Sequence, residues 1–114
     1  MLKGPRMRIF ALKSCDTCRK AIAAIRAAGH DPQIIDVRAD GVSDADRAAI
    51  IAAFGDKAIN RASTTWRGLT DAEKDSDPNE LLAAHPTLMK RPVIEHAGQL
   101  YLGWKADVQA LILG

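Results

Sequence analysis

Cys15 and Cys18 stand three apart in Cys15-Asp16-Thr17-Cys18-Arg19-Lys20, and the chain has no other cysteine. A short apolar run, Ile9-Phe10-Ala11-Leu12, precedes them, and an Ala-rich segment with Ile22 and Ile25 three apart follows. That context reads as strand, loop, helix. A thiol just before the first turn of a helix faces backbone N–H groups without intrahelical partners and the positive end of the dipole. Both favour thiolate over thiol, so Cys15 is expected to be the more acidic and nucleophilic sulfur. Cys18 lies one turn further in and is expected to attack and resolve a mixed disulfide formed on Cys15.

Other uses of a C-x-x-C pair fit less well. A zinc site needs two more ligands at short spacing. His30, His85 and His96 are scattered, so no metal is expected. A structural disulfide would close too small a loop to stabilise much. Two buried, inert thiols are the remaining alternative, because cysteine is often buried.

At 114 residues, 47% of them hydrophobic, the chain is expected to be one domain with a sizeable core. A net charge of +2 gives no argument for nucleic acid as the partner. No apolar run is long enough to span a membrane, and the N-terminus lacks the apolar core of a signal peptide. Two cysteines in a redox motif then suit a reducing cytoplasm. Met1 to Arg6 reads as a loose lead-in, with Met7 as an alternative start.

The elements that must position the thiols follow from pattern and punctuation. Arg8 to Leu12 reads as a strand, and Asp16 to Ala28 as a helix stopped by Gly29. Gln33 to Val37 reads as a second strand, parallel to the first across a right-handed crossover. Ser43 begins a helix with a stripe at Arg47, Ile50, Ile51 and Phe54, ended by Gly55. Ala58 to Gly68 is less periodic and reads as a polar loop. Thr70-Asp71-Ala72-Glu73 and Asp77-Pro78-Asn79-Glu80 read as two capping boxes, the second helix ending by His85-Pro86. Lys90 to Glu95 reads as a strand, His96-Ala97-Gly98-Gln99 as a turn, and Leu100 to Leu102 as the returning strand. Trp104, Val108, Leu111 and Ile112 stripe a last helix. The fold class is therefore α/β: a β-α-β … β-β-α core with a helical insertion at about 43–88. That order resembles thioredoxin, whose active thiols open the first helix.

The chain resembles the glutaredoxin-type arsenate reductase and Spx family over nearly its whole length, from Met7 onward. The resemblance rests on Cys15 with Arg19 four residues on, Asn60-Arg61 before Thr64-Thr65-Trp66-Arg67, and Arg91-Pro92-Val93-Ile94. It implies a thioredoxin-like fold with a helical insertion, with Cys15 as the nucleophile. It implies anion-binding roles for Arg61 and Arg91, and a cis peptide bond before Pro92. Arg19, one helical turn beyond Cys15, is expected to favour its thiolate. Guanidinium groups suit these roles because their planar fork binds oxyanions and carboxylates in bidentate fashion. Trp66 and Arg67 are expected to lock the insertion.

Two features depart from the classical reductases of the family. Where those carry a third arginine this chain reads Leu102-Gly103-Trp104-Lys105, and Cys18 stands where they usually have serine. The Thr-Thr-Trp-Arg segment instead resembles an uncharacterised bacterial branch, suspected of glutathione-dependent thiol reduction. The expected function is thus a thiol–disulfide oxidoreductase acting on a small anionic or disulfide substrate. It would bind no cofactor, use glutathione as co-substrate, and have glutaredoxin as a possible partner. The alternative is an Spx-like redox sensor that binds the RNA polymerase alpha subunit, with a binding module devoid of chemistry as a third reading.

Overall fold

The computed structural model describes residues 7–114, and the lead-in over residues 1–6 lies outside the described residues. Two units organise the chain: the described residues up to Asp36 together with Arg91–Gly114, and Val37–Lys90.

In the first unit, β1 (Arg8–Ala11) runs parallel to β2 (Gln33–Asp36), with Ile9 opposite Ile34 and Ala11 opposite Asp36. α1 (Asp16–Ala27) makes the crossover between them. Antiparallel pairing joins β1 to β3 (Val93–His96), with Ile9 opposite Ile94, and β3 to β4 (Gln99–Leu102). The sheet order is β2-β1-β3-β4. The β3–β4 hairpin turns at Ala97 (φ 51°) and Gly98 (φ 79°). Two successive left-handed residues match the right-handed twist of the strands they join. Across β1 and β3, Arg8 and Glu95 form a two-pronged ion pair at 2.7 and 2.9 Å.

α1 ends as expected. Gly29 (φ 96°) donates to the Arg26 carbonyl at 3.0 Å, and His30 donates to that of Ile25 at 3.3 Å. This pair of bonds satisfies two carbonyls left over at the helix end. α1 buries Cys18, Ala21 and Ile25. Cys18 and Ile25 join Met7, Ile9, Ala11, Ile94, Val108 and Ile112 in one cluster. Burying each of its larger aliphatic side chains stabilises the fold by about 1.5–3 kcal/mol. Val108 and Ile112 come from α6 (Ala106–Leu113). Leu111, expected on the same stripe, is 63% exposed. The helix begins only at Ala106, and Leu111 falls on its outer side.

The second unit is helical. α2 (Asp44–Phe54) is capped by Ser43 Oγ, which accepts from Asp46 N–H. Ile50 is buried, but Arg47 does not extend an apolar stripe. Its guanidinium donates to Asn79, to the Val42 carbonyl and to Asp44, and so ties α2 to α5 (Pro78–Ala84). The segment expected to be a loop contains α3 (Thr64–Arg67), a single turn nucleated by Ser63, whose Oγ accepts from Trp66 N–H. The capping box at Thr70 and Glu73 opens α4 (Asp71–Lys74). At Asp77 the expected box is absent: the carboxylate accepts from Asn79 N–H, two residues on, and the cap has no reciprocal bond from Glu80. Short 3-10 turns at Gly55–Ala58 and Pro86–Leu88 flank a bridge between Ile59 and Met89. Lys90 donates to Ala58 O and Asn60 to Leu88 O, both at 2.7 Å.

Among the described residues, no helix is long and apolar enough to cross a membrane.

Candidate active site

The chain leaves β1 through a tight turn in which Cys15 N–H donates to the Leu12 carbonyl at 2.9 Å. Cys15 then caps α1. Its backbone is extended (φ −88°, ψ 114°), and its Sγ accepts from Cys18 N–H at 3.4 Å. The sulfur therefore occupies the place of a capping oxygen and meets an N–H group that the helix leaves unused. Both cysteines are free thiols; Cys15 is half-buried and Cys18 fully buried.

The environments of the two sulfurs pull their acidities apart. Burial is the largest single influence and pushes the Cys15 thiol up, while the hydrogen bonds from the Cys18 thiol and backbone N–H pull it down. The charge of Arg91 and a hydrogen bond from it act in the same direction, and Cys15 is more acidic than an ordinary thiol. Cys18 is pushed up to about 12. Burial is the main cause, its hydrogen bond to Cys15 and the neighbouring negative charge add to it, and Leu12 and Arg91 oppose it only partly. One sulfur is thus the more acidic of the pair while the other is held as a protonated donor.

Arg91, which opens the second stretch of the first unit, acts on Cys15 through its charge and a hydrogen bond. The Arg91–Pro92 peptide bond is cis, as the resemblance implies. The Pro92 carbonyl accepts Gly103 N–H at 2.8 Å, which joins the entry to β3 to the exit from β4. Trp104, next in sequence, is half-buried against the same core cluster that Cys15 borders.

The structure therefore brings Cys15, Cys18 and Arg91 together, with Pro92 adjoining. Arg19 is placed differently from its expected role. It lies one turn along α1, but its exposed guanidinium is paired with Asp16, and the guanidinium that acts on Cys15 is that of Arg91. Arg61 belongs to the second unit. There it lies over the Trp66 ring at 5.4 Å and 3.8 Å from Asp56. Lys74 stands over the same ring at 5.7 Å. Arg67, expected to help lock the insertion, donates to the Ala62 carbonyl at 2.8 Å. Sequence reasoning missed Asp36, a buried carboxylate whose Oδ2 accepts Lys13 N–H from the Cys15 turn. A lone acidic residue ending an apolar strand was the available signal. No group of three or more residues suited to holding a metal occurs among the described residues.

Comparison with known proteins agrees with this geometry. The ArsC family model matches residues 10–110. An uncharacterised protein of Haemophilus influenzae is 33% identical over 101 residues, covering 84% of this chain and 89% of that protein. An arsenate reductase of Rhizobium meliloti is 33% identical over 92 residues, covering 75% of this chain and 66% of that enzyme. The solved structure of the YffB protein superposes with a TM-score of 0.86 at 33% identity, covering 95% of this chain and 99% of that one. The sheet order, the thiols at the start of α1 and the matched span converge on a thioredoxin-like fold, and the chain belongs to the ArsC family.

Proposed function

We propose that the protein is a glutathione-linked thiol–disulfide oxidoreductase with Cys15 as nucleophile and Cys18 as resolving thiol. The observation that carries this reading is Cys15 Sγ, held as the cap of α1 against Cys18 N–H and within reach of Arg91. Family membership supports oxidoreductase chemistry at a cysteine.

In the first step the Cys15 thiolate attacks one sulfur of a mixed disulfide between glutathione and a second thiol. A Cys15–glutathione disulfide forms, and the other thiol leaves as thiolate. Cys15 now carries no charge. Two of the causes that raise the Cys18 pKa, its hydrogen bond to Cys15 and the negative charge there, are then gone. Cys18 gives its proton to solvent or to the departing thiolate and attacks Cys15 Sγ. Glutathione leaves, and the two cysteines are left as a disulfide, oxidised by two electrons. Two further glutathione molecules reduce that disulfide and become glutathione disulfide. Arg91 supplies the fork for a substrate carboxylate or oxyanion.

The test is turnover of a glutathione mixed disulfide by the purified protein with excess glutathione, with and without glutaredoxin. Turnover that vanishes in Cys15→Ser is expected. A protein that consumes neither the disulfide nor arsenate under either condition is not this enzyme.

A further inference from the structure

Asp36 is the one buried charged or polar residue among the described residues, at 8% exposed. Its position is specific. It ends β2, in register with Ala11, the last residue of β1, at the point where the chain enters the Leu12–Cys15 turn. Lys13 N–H, inside that turn, donates to Asp36 Oδ2 at 3.4 Å. A buried carboxylate destabilises a fold unless its oxygens are hydrogen-bonded, and Lys13 N–H supplies one such donor from the turn. The two groups satisfy one another at the base of the segment that carries the reactive sulfur.

We propose that Asp36 is a positioning residue for Cys15: its carboxylate fixes Lys13 N–H, and with it the turn that sets Cys15 Sγ against Cys18 N–H and Arg91. Asp36 takes no part in proton transfer under this assignment. It acts through two bonds in sequence, from its own Oδ2 to Lys13 and from the Leu12 carbonyl to Cys15 N–H. The donors that hold Cys15 as thiolate act over short distances, so a turn released from β2 lets the sulfur drift away from them. The proposal deepens the preceding reading, because it rests on Cys15 being the reactive thiol.

The experiment is the pH dependence of iodoacetamide alkylation at Cys15, followed by peptide mass spectrometry. Asp36→Ala is expected to move the midpoint upward by about half a pH unit or more, toward the ordinary thiol value. Asp36→Asn removes the same charge but keeps an acceptor oxygen, and its midpoint is expected to stay near that of the wild type. Ile50→Val, in the other unit, serves as a destabilised control and is expected to leave the midpoint unmoved. An Asp36→Ala midpoint equal to wild type, with only its melting temperature lowered, overturns the proposal, as does an Asn variant that shifts as far as Ala.

Should Asp36→Ala not fold, the unmutated protein decides. The Lys13 amide resonance is expected to follow protonation of the Asp36 carboxyl, and a Lys13 amide indifferent to it overturns the assignment. Cys15→Ser run alongside separates the two failures. Persistent labelling in that variant removes Cys15 as the reactive thiol, while the Lys13 resonance still reports on Asp36.

Discussion

Cys18 donates its backbone N–H to Cys15 Sγ at 3.4 Å while its own buried thiol hydrogen-bonds the same sulfur. One residue thus supplies two donors to its neighbour and is itself held protonated by the charge it stabilises. Under the proposed function this asymmetry suits Cys15 to nucleophile and Cys18 to resolving thiol. Cys15→Ser is expected to abolish thiol labelling at mildly acidic pH. Cys18→Ser is expected to keep labelling but to accumulate a long-lived glutathione adduct on Cys15, visible by intact mass. Preferential labelling of Cys18 in the wild type would reverse the assignment.

The same asymmetry has a consequence for stability. Cys18 is raised to about 12 in the folded chain from 9.0. Its contribution is therefore fully present below pH 9 and is lost as pH climbs from 9 toward 12, where the unfolded chain ionises first. Cys15 is lowered and acts in the opposite sense: its contribution is present above pH 9 and is lost as pH falls through its folded value. Urea unfolding of the reduced protein is expected to show declining stability above pH 9, and Cys18→Ala to flatten that decline. An unchanged slope in Cys18→Ala would show that another group is responsible.

Arg91→Lys keeps a positive charge near Cys15 but replaces a planar fork with a point charge. Affinity for an anionic substrate is expected to fall by about 1.5–3 kcal/mol, the range for hydrogen bonds to charged groups. The midpoint of Cys15 alkylation is expected to rise less in Arg91→Lys than in Arg91→Gln, because the lysine retains the charge. Kinetics unchanged for every anionic thiol substrate would make Arg91 a bystander.

Much of this arrangement is legible in the chain because it is local. The helix cap at Cys15, the stop at Gly29, the cap at Ser43 and the box at Thr70–Glu73 all depend on residues within a few positions of one another. What escapes is whatever depends on distance in sequence or on competition between equivalent partners. Arg19 has the right spacing to serve Cys15, yet Asp16 stands one turn before it and takes its guanidinium. Arg91 has no local link to Cys15, and only the sheet brings them together. Asp36 marks itself only as a lone acidic residue ending an apolar strand, and its role escapes for the same reason: its partner, Lys13, lies on the other side of α1 in sequence. α3 is too short to show a period, and a single serine creates it.

That serine is testable. Ser63 Oγ accepts from Trp66 N–H at 3.2 Å and donates to the Asn60 carbonyl at 2.9 Å, so it joins α3 to the segment bearing Arg61. Ser63→Ala is expected to destabilise the protein by about 1 kcal/mol, as for other lost caps. Trp66, which lies beneath Arg61 and Lys74, is expected to change its fluorescence in the same variant. Ser63→Thr and Ser63→Asp retain an acceptor and are expected to restore both signals. Failure of both to do so would place the effect elsewhere than in the cap.

Arsenate is expected to be a poorer substrate than a glutathione mixed disulfide. The resemblance to the classical reductases places a third arginine in the stretch occupied here by Gly103, Trp104 and Lys105. That stretch stands beside the Arg91–Pro92 junction, since Gly103 N–H donates to the Pro92 carbonyl at 2.8 Å. Gly103 offers no side chain, Trp104 packs half-buried on the core cluster, and Lys105 is an exposed point charge at the start of α6. A compact oxyanion at Cys15 would therefore lack one charged fork. Such an interaction is worth about 1.5–3 kcal/mol, which corresponds to at least a tenfold difference in rate. Measured in one buffer with excess reductant, kcat/KM for the mixed disulfide is expected to exceed that for arsenate by at least that factor. A value for arsenate equal to or above the disulfide value would show that the site completes its oxyanion cradle without the third arginine, and would restore arsenate as the substrate.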